Sequence, residues 1–264
     1  SSNDKLVDPD LIDQYYERDF QYPPLPIVKH KDKIIETLHN HNTIIISGRT
    51  GCGKSVLVPQ FIVDDCHKNH KPCRILITQP RRIAAKSLAN HVSKIRGWTL
   101  GQIVGYKVSL EKACSNDSAI VYITTGVLLN ILSSERSLEK YSHIIIDEVH
   151  ERNLDVDFAL LILRKLIRVQ SSSTKVIIMS ATMNAKMFAD YFSYYDGDVL
   201  TNPPIIDIKS STYNVTEIYE NQHDFISKFS TEDTLSVEDQ ISQQKFENAL
   251  RIIQNLDKKE KEMF

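Results

Sequence analysis

Lys54, Ser55, Asp147 and Glu148 have the side-chain types and the setting needed for chemistry on a phosphate. Lys54 and Ser55 end the stretch 43–55, TIIISGRTGCGKS, in which a β-branched apolar run breaks into a loop fitting G-x-x-x-x-G-K-[ST], with Gly48 and Gly53 at its glycine positions. Such a loop, here Gly48, Arg49, Thr50, Gly51, Cys52, Gly53, Lys54 and Ser55, curls backbone N–H groups around phosphate oxygens. Lysine at its end reaches the β and γ phosphates, and the hydroxyl beside it can hold Mg²⁺. Asp147 and Glu148 end a second apolar run, HIIIDEVHER. There Asp147 is suited to Mg²⁺, a hard cation that takes oxygen ligands, and Glu148 to orienting a water and taking its proton. Ser180-Ala181-Thr182 again follows an apolar run, and its two hydroxyls are placed to sense the metal site and pass its state onward.

The elements that must position these residues alternate along the chain. Strand-like runs fall at 44–46, 74–78, 120–124, 143–146 and 176–180, with helix-like spacing at 54–65, 83–95, 126–133 and 156–169. Strands that are apolar throughout and alternate with helices imply a mainly parallel sheet covered on both faces, an α/β fold that binds ligands at the carboxyl ends of its strands. Residues 1–26 read as an irregular N-terminal arm and 27–200 as the α/β domain. Residues 201–226, with β-like runs at 205–209 and 213–219, read as a β linker segment. From 227 the chain is polar, then shows Phe246, Ala249, Leu250, Ile253 and Leu256 at helical spacing. That stripe wants a partner surface, so 227–264 is expected to lead towards a second domain.

Composition narrows the class. The formal net charge is -2 and the pI about 6.5, so no global positive field is present and any nucleic-acid contact must come from a local patch. No apolar run approaches the ~20 residues of a membrane span, and the first residues, SSNDKLVDPD, do not resemble a signal peptide. An intracellular, soluble protein without membrane contact is expected. The few, irregular cysteines suit a reducing compartment, and Cys66, His70 and Cys73 lack a fourth ligand for zinc.

GRTGCGKS, TQPRRIAA, TTGVLL, DEVHER and SAT occur in the order and approximate spacing of motifs I, Ia, Ib, II and III of superfamily 2 helicases. The chain resembles their DEAH/RNA helicase A branch over about residues 25–220, including the upstream Leu25-Pro26-Ile27. Within that branch, WTLGQIVGYKVSLEK and NLDVDFALLILRKL resemble the spindle-E and tudor-domain-containing group of germline helicases. The resemblance implies a RecA-like domain, the first motor domain of an ATP-dependent RNA helicase or ribonucleoprotein remodeller. It implies ATP and Mg²⁺ as cofactors, with single-stranded RNA, a second RecA-like domain and further C-terminal domains as partners. Piwi-pathway proteins and cytoplasmic, perinuclear germ granules (nuage) follow from the spindle-E likeness.

Carried over motif by motif, Lys54, Asp147, Glu148 and His150 are the catalytic residues, and Ser55 and Asp147 hold the metal. His150 couples the nucleotide site to Ser180 and Thr182. Arg81, Arg82, Thr124 and Thr125 grip the RNA sugar-phosphate backbone, a contact without base readout. His91 stands where relatives carry an arginine that stacks on the nucleotide base; imidazole can stack but carries a less dependable charge. Other departures are Arg49, Cys52, Ser55, Val149 and, in place of an RNA-facing arginine, Ser109. Arginine fingers from a second RecA-like domain can be worth about 10³ to 10⁵ in rate; no such motif appears before Phe264, so slow turnover by this segment alone is expected. The alternatives are a nucleotide-gated RNA or protein scaffold with little turnover, and a DNA-directed motor of the same superfamily.

Overall fold

The computed structural model describes residues 6–13, 15–16, 20–134, 138–169, 173–181, 184–209 and 250. The chain divides into two compact units, 1–212 and 213–264, and the elements that follow belong to the first. A short helix α1 (Pro9–Asp13) and a 3-10 turn (Pro26–His30) precede α2 (Lys31–Asn40) and β1 (Thr43–Gly48). Then come α3 (Lys54–Lys68), β2 (Ile75–Gln79), α4 (Arg82–Arg96), β3 (Val104–Val108), β4 (Glu111–Ala113), β5 (Ile120–Thr124) and α5 (Thr125–Ser134). The rest comprises β6 (His143–Ile146), a 3-10 turn (Val149–Glu151), α6 (Leu154–Val169), β7 (Lys175–Ser180), α7 (Ala185–Tyr191), β8 (Tyr194–Asp196), β9 (Val199–Thr201) and β10 (Ile205–Ile208).

Eight strands form one sheet in the order β10-β1-β7-β6-β2-β5-β3-β4, while β8 and β9 make a separate hairpin. All pairings from β10 to β3 are parallel, and only β4 runs against its neighbour. Each central strand is buried on both faces because successive side chains enter different cores. Ile44 and Ile46 pack with Leu57, Phe61, Ala85 and Val92 of α3 and α4, whereas Ile45 packs with Leu128, Leu160 and Phe188 of α5, α6 and α7. The sequence reading of a mainly parallel sheet with helices on both faces is borne out.

Register brings the chemistry to one edge. Ser47 stands opposite Ser180, Ile146 opposite Ile178 and Gln79 opposite Thr124, so the loops after β1, β7, β6, β2 and β5 leave the same side of the sheet. Two β segments are placed differently from the sequence expectation. Ile205–Ile208, read as the opening of a linker, is the edge strand of the main sheet beside β1. Its exposed Ile205 and Asp207 alternate with buried Ile206 and Ile208, the pattern of a strand with one covered face. The β3–β4 hairpin lies in a stretch read without strands, where polar Lys107 interrupts the apolar run. Residues 210–226, and 227–264 apart from Leu250, lie outside the described residues, as does Thr182. Among the described residues no helix is long and apolar enough to cross a membrane.

Candidate active site

β1 carries the chain to the carboxyl edge and Gly48 starts the loop. A Cβ there would lie 2.8 Å from Cβ of Ile208 and 3.1 Å from Sγ of Cys52, so β10 and the loop can meet only over a glycine. Gly53 caps α3 at φ 101°, a left-handed conformation that side chains rarely adopt. Lys54 then enters the helix with its side chain folded back under the loop. It is 4% exposed, donates to the carbonyl oxygens of Gly48 and, at 3.2 Å, Arg49, and stands 3.7 Å from Sγ of Cys52. Arg49, Thr50 and Gly51 form the exposed rim. An ammonium group held beneath a ring of backbone amides at a helix N-terminus is built to receive an anion.

Asp147, directly after β6, is 1% exposed. Its carboxylate accepts from Nε2 of Gln79 at 2.6 Å, from the Ser55 hydroxyl, and from the Glu148 N–H at 2.9 Å; its own N–H donates to Oγ1 of Thr78 at 3.2 Å. Burial raises its pKa from the ordinary 3.8 to about 6, with Glu148 adding to the rise and Ser55 and Gln79 opposing it. Tyr122, fully buried on β5, donates to the Ser55 carbonyl at 2.8 Å, and its phenol is pushed up by burial and by Asp147. Thr78, Gln79 and Tyr122 were not singled out from the sequence. The signals were there: Thr78 and Gln79 are polar residues ending an apolar strand, and Tyr122 is the one aromatic in IVYIT.

Glu148 takes a left-handed backbone conformation, φ 54° and ψ 35°, which turns the chain sharply out of β6 into the 3-10 turn. Its Oε2 lies 3.3 Å from Nδ1 of His150, and the same Nδ1 lies 3.3 Å from the N–H of Ala181. One ring nitrogen cannot serve both at once. Without a hydrogen, Nδ1 accepts from Ala181; carrying one, it donates to Glu148. The imidazole thus stands between the acid of one motif and the backbone of the next, beside the buried Ser180.

Further out, Arg81 is 78% exposed and approaches Glu151 at 3.8 Å, while Arg82 donates to the Ser109 carbonyl at 2.7 Å. Thr125 is buried, with no hydrogen-bond partner for its Oγ1 among the described residues, and half-buried Thr124 is the more accessible of that pair. His91 is exposed on α4. The structure therefore brings Lys54, Ser55, Asp147, Glu148, His150 and Ser180 to one strand edge, with the arginines beside it.

Residues 29–190 match the family described as DEAD/DEAH box helicase. The chain is 41% identical over 238 residues to the human protein named ATP-dependent RNA helicase TDRD9, covering 90% of this chain and 17% of that one. It is 43% identical over 205 residues to the Mus musculus protein of that name, covering 78% and 15%. With the probable ATP-dependent RNA helicase spindle-E of Drosophila willistoni it shares 39% over 221 residues, 83% of this chain and 15% of the relative. The chain thus spans less than a fifth of the length of these relatives. The strand-edge arrangement, the match over residues 29–190 and the likeness to spindle-E and TDRD9 lead to one conclusion: the chain belongs to the DEAD/DEAH box helicase family.

Proposed function

We propose that the chain is the first motor domain of an ATP-dependent RNA helicase or ribonucleoprotein remodeller. The observation that carries this reading is the buried Asp147 carboxylate, joined to Ser55 of the phosphate loop and to Gln79 of β2. It ties the loop that would hold the triphosphate to the segment bearing the acid. Asp147 and Ser55 also offer an oxygen-only donor set that fits Mg²⁺. Among the described residues no group of three or more His, Cys, Asp or Glu could hold a metal ion by itself. When bound, Mg²⁺ would neutralise charge on the phosphate oxygens and relieve the cost of ionising Asp147.

The chain's own residues supply the rest. Lys54 exchanges its carbonyl partners for β and γ phosphate oxygens, the N–H groups of 49–54 hold the same oxygens, and α3 adds its positive end. Glu148 accepts the proton of the water whose oxygen attacks the γ phosphorus as the bond to the β-phosphate oxygen breaks. His150, within reach of both Glu148 and the Ala181 N–H, links the acid to the segment after β7. Arg81, Arg82 and Thr124 meet the RNA backbone, and His91 the nucleotide base. A second RecA-like domain would complete the site. The Piwi-pathway and germ-granule setting is supported by the spindle-E likeness alone.

The test is ATP hydrolysis by this segment and by the full-length protein, with and without single-stranded RNA, beside Glu148→Gln. The expected result is RNA-stimulated turnover in the full-length protein that falls ~10²- to 10⁴-fold on substitution, with nucleotide binding retained. Nucleotide binding without Glu148-dependent turnover would replace this reading with the nucleotide-gated scaffold. Equal stimulation by DNA of the same length would overturn the RNA assignment.

A further inference from the structure

Among the described residues, three attachments pin the chain N-terminal to the phosphate loop, besides the contacts of Asp13 and Tyr16 with His67 of α3. Val7 and Cys73 exchange two backbone hydrogen bonds of 3.1 Å. Farther on, Arg96 of α4 is 4% exposed and donates to Gln60 at 2.8 Å and to both Asp64 oxygens at 2.5 Å, which joins α4 to α3. The arm closes over this pair. Phe20 and Trp98 lie 3.9 and 4.9 Å from the guanidinium, Tyr16 and Tyr22 donate their hydroxyls to Asp64, and Trp98 Nε1 donates to the Tyr15 carbonyl at 3.0 Å. The third attachment is the phosphate loop itself. Ile27 N–H donates to the Cys52 carbonyl at 3.2 Å, and a Cβ on Gly53 would lie 2.9 Å from Leu25 Cδ1 and 3.0 Å from Ile27 Cγ2.

Between the second and third attachments stand only Pro23 and Pro24, with the Leu25 N–H bonded to the Pro23 carbonyl at 2.7 Å. Two fixed φ angles make this a stiff strut. Displacing Tyr22 therefore displaces Leu25, and Leu25 lies against the left-handed Gly53 corner from which Lys54 and the first N–H groups of α3 are aimed.

We propose that the arm is a positioning element for the phosphate loop, anchored on the Asp64–Arg96 pair and transmitting that anchor through Pro23-Pro24 to Leu25, Ile27 and Gly53. It touches no reacting atom. Its role is to hold the loop in the phosphate-accepting shape before the anion arrives, so its loss weakens nucleotide binding while leaving the acid and metal residues in place. This rests on the proposed nucleotide-binding reading.

The test uses the full-length protein with Pro23→Gly/Pro24→Gly, which loosens the strut without touching either attachment. Arg96→Met leaves Asp64 buried without its cation and can unfold the domain, so it serves only as a second variant. Binding of a fluorescent ADP derivative, turnover, melting temperature and amide hydrogen exchange are measured together. The expected result is a ~5- to 10-fold rise in nucleotide Kd and KM with kcat held within about two-fold. Exchange quickens over 48–56, stays unchanged over 143–146 and 175–180, and melting shifts little. Unchanged affinity and unchanged exchange over 48–56 would overturn the proposal. So would a fall in melting temperature with faster exchange across the whole sheet, which is the mark of a purely structural arm. Should the parent protein fail to bind the probe, the nucleotide reading falls, and exchange over 48–56 still decides whether the arm orders the loop.

Discussion

Asp147 shows most plainly what the site demands of a single residue. A carboxylate at 1% exposure with its pKa raised to about 6 is held against its own preference for water. Its folded-state pKa lies above the ordinary value, so its contribution to stability falls as pH rises from about 4 to about 6, by roughly 3 kcal/mol in all. Asp147→Asn is therefore expected to raise the melting temperature at neutral pH while abolishing turnover, as thermal denaturation beside an ATPase assay would show. Loss of stability together with activity would mean that the Gln79 and Ser55 bonds outweigh the burial cost. The types and spacing of Lys54, Ser55, Asp147 and Glu148 were legible in the sequence. The partnership of Asp147 with Gln79 and Tyr122's bond to Ser55 were not, because each joins segments far apart in the chain.

At the scale of elements, strand register and loop shape decide how much each residue can do. Gly48 is squeezed between Ile208 of β10 and Cys52 of the loop, so Gly48→Ala is expected to destabilise the domain by about 1–3 kcal/mol. Ile208→Ala should recover part of that loss in a double-mutant cycle read by denaturant unfolding. Additivity in that cycle would mean that the contact with β10 does not set the requirement. At the start of α4, Arg82 is braced by the Ser109 carbonyl at the β3–β4 turn. Arg82→Ala is expected to weaken single-stranded RNA binding by the full-length protein and to reduce the slope of log K against log salt by about 0.7. An unchanged slope would make Arg82 a brace for the hairpin and not a phosphate contact. The long helices α3 to α6 and the central strands were legible because their apolar spacing is long and regular; α1 and α7, five and seven residues long, were not. The β3–β4 hairpin was not, because polar Lys107 interrupts its short apolar run, and β10, though read as a β segment, was not legible as the edge of the main sheet, since strand pairing is set by packing and not by local pattern.

Across the whole molecule the two ends of the sheet titrate in opposite senses. At the amino end of β6, burial lowers the pKa of His143 to about 3, with Lys175 and His39 adding to the effect. Its folded-state pKa lies below the ordinary 6.5, so its contribution favours folding more as pH rises from about 3 to 6.5. Asp147 at the other end of the same strand slopes the other way between about 4 and 6. His143→Gln is expected to leave a variant whose stability, relative to the parent, improves as pH falls below 6.5, by up to ~1.4 kcal/mol per pH unit. Asp147→Asn should show the reverse difference between pH 4 and 6. Urea unfolding across pH 4–8 would measure both, and parallel curves for parent and variants would show that neither group titrates on unfolding.

The sequence by itself determined the fold class, the order of the motifs and the edge at which they had to meet. Apolar strands alternating with helices admit few arrangements, and a phosphate loop constrains its own residues locally. Tertiary structure alone decided that β10 closes the sheet against Gly48, that His150 stands between Glu148 and Ala181, and that the arm reaches the loop over Arg96. These are contacts between segments remote in sequence, set by packing and strand register, which no local pattern of residues encodes.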